Sequence, residues 1–146
     1  MSNRKSALSR ANLGFLLAKA SQRWNEELSQ GFAAAGFASV RPAYGSILIP
    51  LFEEDGLRLG ELALRGGIAK QIMTTMIREV EAAGLVRRKP DPADARATRV
   101  YLTAEARRFA PTAERVLAGI ERRAAAVRGF AEMQGVADWL RRFARI

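Results

Sequence analysis

The sequence predicts a mainly helical α+β domain, and three observations carry that reading. Apolar residues recur at three- and four-residue spacing along several segments, which is the period of an amphipathic helix. A Gly66-Gly67 pair separates two of those segments. Two short extended runs, 85–89 and 98–102, flank a connection rich in proline and aspartate. With 146 residues and 49% apolar content, the chain has enough material for one folding unit with a sizeable core.

Leu13, Leu16, Leu17, Ala20, Trp24, Leu28, Phe32 and Ala35 step along at helical spacing, so the chain from about Asn12 to Ala35 reads as one long helix stopped by Gly36. At roughly 1.5 Å per residue it spans about 35 Å, longer than a domain of this size needs to cover its own core. Part of it is expected to pack against another chain, and Phe15, off the main stripe, fits that. Pro42 suits the first turn of a second helix through Tyr44, Ile47, Leu48, Leu51 and Phe52, in which Pro50 should produce a kink or an early end. Leu57-Arg58-Leu59 is a short extended piece, and 61–64 is a brief third helix before the glycine turn.

The stretch 68–84 then forms an amphipathic helix with Ile72, Met73, Met76, Ile77 and Val80 on its apolar face and Gly84 as its cap. Its opposite face carries Gln71, Thr74, Thr75 and Arg78, with Lys70 beside them and no carboxylate in that stripe. Amide, hydroxyl and guanidinium groups can read base edges in a major groove wide enough for one helix. Leu85-Val86-Arg87-Arg88-Lys89 and Thr98-Arg99-Val100-Tyr101-Leu102 follow as a basic hairpin, with Val100 and Leu102 on one face and Arg99 and Tyr101 on the other. A short helix, a glycine turn, an amphipathic helix and a basic hairpin make a winged helix-turn-helix.

Thr103 caps a fifth helix with the stripe Phe109, Ala113, Val116, Leu117, Ile120, Ala124 and Val127, and Pro111 implies a kink near its start. After Gly129, the stripe Phe130, Met133, Ala137, Leu140 and Phe143, with Trp139 beside it, marks a last helix. These aromatic positions read as core or subunit interface, since nothing near them supplies the convergent polar groups of a cofactor site.

Lys plus Arg exceeds Asp plus Glu by nine, which favours a polyanionic partner. Cysteine and histidine are both absent, removing disulfides, thiolate chemistry and imidazole catalysis, and no carboxylate pair asks for an acid–base role. An enzyme, a cofactor and a metal are therefore not expected. Arg4, Lys5 and Arg10 precede an amphipathic rather than a continuously apolar segment, so no leader is expected and the cytoplasm is the expected compartment.

The run Glu61-Leu62-Ala63, the helix ending Glu81-Ala82-Ala83-Gly84-Leu85-Val86-Arg87-Arg88, and the wing Asp91-Pro92-Ala93-Asp94-Ala95-Arg96 followed by Leu102-Thr103 resemble the MarR family of bacterial transcriptional regulators. Two positions depart from that family's pattern: Ala106 stands where glycine is common, and Ala69 where Ser or Thr often opens the recognition helix. The resemblance implies a single domain over 1–146, with dimerisation helices at about 12–36 and 107–146 and a DNA-binding region at about 42–103. It implies a homodimeric repressor on an inverted-repeat operator, with helix 69–83 in the major groove of double-stranded DNA and the wing at the minor groove. Gln71, Thr74, Thr75 and Arg78 become candidates for base and phosphate contacts and Arg96 for the wing-tip arginine. Lys70, Arg87, Lys89 and Arg99 supply attraction to phosphate. Asp94 is expected to hold the tip by pairing with Arg88 or Arg99. A small-molecule effector, often aromatic in the family, would sit near Trp24, Arg41 and Tyr44.

Two other classes compete. A winged-helix module could bind an acidic protein through the same surface without specific DNA binding. An anionic membrane surface would call on the last helix, with Arg141, Arg142 and Arg145 beside Trp139 and Phe143, although a dimer interface explains that stripe better.

Overall fold

The computed structural model describes residues 7–146, so Arg4 and Lys5 lie outside the described residues. Six helices and a three-stranded sheet follow in the order α1 (Leu13–Ala34), α2 (Gly45–Glu53), β1 (Leu57–Arg58), α3 (Leu59–Gly66), α4 (Lys70–Ala82), β2 (Val86–Pro90), β3 (Thr98–Leu102), α5 (Ala104–Arg128) and α6 (Phe130–Ala144). A 3₁₀ turn at Pro42–Tyr44 leads into α2. None of these helices is long and apolar enough to cross a membrane.

Local chemistry places the helix ends. Asn12 caps α1 by accepting the Phe15 N–H at 3.2 Å, and Gly36 leaves the helix at φ +91°. Thr103 caps α5 through the Ala106 N–H at 3.2 Å, while its hydroxyl donates to the Gly84 carbonyl at 2.6 Å. That one side chain joins the end of α4 to the start of α5. Gly67, at φ +65°, supplies the left-handed cap that turns α3 into α4.

The antiparallel sheet has the order β1-β3-β2, with Leu57 opposite Val100 and Val86 opposite Leu102. These four side chains close one end of a core built from Ile47, Leu51, Leu62, Met73, Ile77 and Val80. At the other end Phe109 of α5 packs edge-on against Phe32 at 4.8 Å and Phe37 at 5.1 Å between ring centres.

Helices α2 and α5 continue past their prolines, so neither Pro50 nor Pro111 ends the helix that holds it. Pro50 has no N–H to offer the Ser46 carbonyl four residues earlier. A Cβ at Gly66 would collide with that same Ser46 oxygen. The bare backbone of α3 therefore lies against the Ser46 carbonyl of α2, and the close crossing explains Gly66 by space rather than by turn geometry.

The two ends of the chain keep large apolar groups in the open. Leu13, Phe15 and Leu16 of α1 are exposed, as are Val127 and, on α6, Phe130, Val136, Trp139, Leu140 and Phe143. Helix α6 buries none of its residues fully.

Because the Gly66 site has no room, Gly66→Ala should destabilise the fold by about 1–3 kcal/mol despite alanine's better helix propensity. Gly60, in the same helix with open space around it, gives the control: Gly60→Ala should be neutral or stabilise by up to about 1 kcal/mol. Urea unfolding of the two variants measures the difference.

Candidate nucleic-acid interface

Helix α4 packs against β2 of the wing, and the cations that the two elements carry fall into two groups. Some are tied into the framework by carboxylates. Arg88 donates from Nε at 3.2 Å, from Nη2 at 2.9 Å and from its backbone at 3.0 Å to Glu81, locking β2 onto α4. This arginine holds the Glu81 carboxyl below its ordinary pKa. Arg58 and Arg99 both donate from Nε to Asp91 Oδ2, at 2.7 and 2.8 Å, and Arg99 also donates to the Gly56 carbonyl at 2.7 Å.

The others face outward. Among the described residues, Lys70, Arg78 and Arg87 have no carboxylate partner, and Lys89 lies 5.4 Å from the centre of the Tyr101 ring. The strand register puts Arg87 opposite Tyr101 and Lys89 opposite Arg99, away from the core-facing Val86, Val100 and Leu102. Arg96 stands at the wing tip with 93% of its side chain exposed.

Asp91 is the wing's anchor, and the arginine that pairs with Asp94 at the tip is Arg96 rather than Arg88 or Arg99. Asp91 is 3% exposed, the one buried charged residue among those described, and it also accepts the Ala93 N–H at 2.8 Å. That backbone hydrogen bond, with the two guanidinium groups, outweighs desolvation and lowers its pKa from 3.8 to about 2. Asp94 instead accepts the backbone N–H of Arg96 at 3.0 Å and its Nε at 3.4 Å, a local turn at the tip, while Arg88 and Arg99 have other partners. Arg99, expected to attract phosphate, is thus a framework residue. The signal for Asp91 was in the sequence: an aspartate directly before Pro92 favours a turn in which its carboxylate accepts the N–H two residues on.

The exposed face of α4 also differs from expectation. Gln71, Thr75 and Arg78 are open to solvent, whereas Thr74 is half-buried and its hydroxyl donates to the Lys70 carbonyl at 3.0 Å. The buried set is Met73, Ile77 and Val80, with Met76 half-buried. Ile72 is 56% exposed and lies beside Gln71, Thr75, Met76 and Glu79 around a shallow hollow. At about 100° per residue, Ile72 falls more than a quarter turn from the centre of the buried stripe. Glu79 brings to this side of the helix a carboxylate that the stripe 71, 74, 75, 78 does not contain. Ala69 precedes α4 with no side-chain cap.

A cavity of about 630 Å³ opens between α1, α2 and α5, lined among others by Trp24, Leu28, Val40, Arg41, Phe52 and Leu117. Trp24 and the exposed Arg41 lie on its wall as expected. Tyr44 does not; it is buried in the core, because it ends the 3₁₀ turn with its ring directed inward.

The family described as MarR family matches by its sequence model over residues 42–98, from the turn before α2 to the first residue of β3. The transcriptional repressor CouR, solved bound to a 23-mer DNA duplex, is similar at 26% identity and a TM-score of 0.79, with 95% of this chain and 99% of that chain covered. A MarR-family transcriptional regulator from Rhodococcus sp. RHA1 is similar at 22% identity and a TM-score of 0.76, over 95% of this chain and 96% of that one. Reduced AbfR bound to DNA shares the fold at 16% identity and a TM-score of 0.69, over 91% and 88% of the two chains. No curated protein matches the chain by sequence. The winged helix with flanking helices is therefore the fold of the MarR structures.

The Asp91 clamp titrates in acid. Its pKa is lower in the fold than in the free chain, so its stabilising contribution is complete above about pH 4 and is lost as pH falls from 3.8 towards 2. Carboxyl carbon NMR should give Asp91 a midpoint near pH 2, and Arg99→Gln should move that midpoint up towards 3.8.

Proposed function

We propose that this chain is a sequence-specific DNA-binding transcriptional regulator that acts as a homodimeric repressor on an inverted-repeat operator. The observation that carries the reading is the sorting of cations: Arg58, Arg88 and Arg99 hold the wing in place, while Lys70, Arg78, Arg87, Lys89 and Arg96 stand outward on one surface. A surface built to be soluble would need no such rigid backing. In this reading residues 42–103 bind DNA, and helices at 12–36 and 107–146 form the dimer through the uncovered apolar groups of α1 and α6.

Helix α4 enters the major groove, where Gln71, Thr74, Thr75 and Arg78 meet bases and phosphates. Lys70, Arg87 and Lys89 grip the backbone, and Arg96 enters the minor groove, where narrow A·T-rich segments concentrate negative potential. The similarity to a repressor solved on a DNA duplex, and to a second protein of this fold solved bound to DNA, supports this assignment. The cavity between α1, α2 and α5 joins the dimer arm to the DNA-binding region, so a small apolar effector seated against Trp24, with Arg41 at its rim, would bias the spacing of the two recognition helices.

Mobility-shift titration of a selected operator tests the assignment. Arg96→Ala should weaken binding, by more on operators with A·T-rich flanks; unchanged affinity on every operator would remove Arg96 from the interface. If about eight phosphates are neutralised per dimer, log K should fall against log salt with a slope near −7, and a flat dependence would exclude DNA as the partner.

A further inference from the structure

From the exposed position of Ile72 we infer that it reads thymine, by packing against the 5-methyl group in the major groove; the inference rests on the DNA-binding reading. Ile72 lies in the first turn of α4 with 56% of its surface open, on the face that also presents Gln71 and Thr75. A β-branched apolar residue gains nothing there from helix propensity, and the core takes its contacts from Met73, Ile77 and Val80 instead. Its neighbours define what it can meet. Gln71, Ile72, Thr75, Met76 and Glu79 line a shallow, open hollow of about 340 Å³, in which Ile72 and Met76 are the apolar groups.

The chemistry of the flanks selects a base edge over a phosphate. Towards Arg78 and Lys70 the helix is cationic and suits the phosphate backbone. Towards Ile72 it carries the Glu79 carboxylate, which would repel phosphate, so this flank meets the floor of the groove. The only apolar group that B-DNA offers there is the thymine methyl, and a carboxylate accepts from the amino group of cytosine or adenine. Ile72 and Glu79 together therefore favour a step in which thymine faces Ile72 and a base bearing an amino group faces Glu79.

The test uses the full-length protein and duplexes containing deoxyuridine, which lacks only the methyl group. An operator is first selected from random duplexes, and each thymine of a half-site is then replaced in turn by deoxyuridine. One replacement per half-site should weaken wild-type binding about fourfold, and the symmetric pair about fifteenfold, the worth of one and two buried methyl groups. Ile72→Ala should bind the thymine and deoxyuridine operators equally, while Ile72→Val should keep most of the difference. Because Ile72 is exposed, the variants should melt like the wild type, which separates contact from folding. If a sequence is selected but no thymine shows the methyl effect, or the effect survives in Ile72→Ala, the inference is overturned while DNA binding stands. If no sequence is selected, both fall.

Discussion

The buried carboxylate of Asp91 is the constraint on which the wing depends. Arg58 reaches it from the strand that precedes α3, Arg99 from β3, and the Ala93 N–H from the loop that carries the tip. One group thereby fixes the tip loop and β3, close to it in sequence, to β1, 33 residues away. Its cover is thin, consisting of two arginines that are themselves partly exposed, yet the pairing is favourable because both guanidinium groups and a backbone donor converge on it. Removing the carboxylate would leave two cations facing each other beneath a basic surface. The clamp thus lets a strongly positive wing exist as a fixed shape rather than as a loop driven open by its own charge.

The recognition helix is positioned by equally local devices. At its start, Gly67 turns the chain and Gly66 lets α3 settle against the Ser46 carbonyl of α2. At its end, Thr103 takes the Gly84 carbonyl and Glu81 takes Arg88. These contacts tie α4 to β2 and to α5 directly and to α2 through α3.

Most of the fold was legible because it rests on short-range pattern. The 3.6-residue stripes gave every helix, the glycines gave the turns, and alternation put Val100 and Leu102 inward as the sheet register has them. What escaped was pairing across long separations. Asp91 carries a local turn signal before Pro92, but only the folded hairpin decides that it, and not Asp94, meets Arg58, 33 residues away. Arg99 and Arg87 are equally basic in sequence, but the one that lies over Gly56 and Asp91 becomes framework. Ile72 was assigned to the core because five apolar residues in nine fit a helical face loosely; packing admits only the narrower set. Tyr44 shows the converse, a residue given to a site that the core claimed.

The arrangement at the two ends of the chain has a consequence for stability under the proposed assembly. An isolated helix of 15 residues is marginal in water, and α6 is a helix of that length with no fully buried residue, held within the chain chiefly through α5. Its stacked Trp139 and Phe143, at 4.9 Å, organise an apolar surface without covering it. The first turns of α1 leave Leu13, Phe15 and Leu16 in the same condition. The interior of the winged helix is complete in one copy, whereas the apolar groups of α1 and α6 stay uncovered in it. Under the proposed assembly a second copy would cover them, adding order where the single chain has least. Affinity for an inverted repeat would accordingly depend on protein concentration through α1 and α6, and on the wing only through its own clamp.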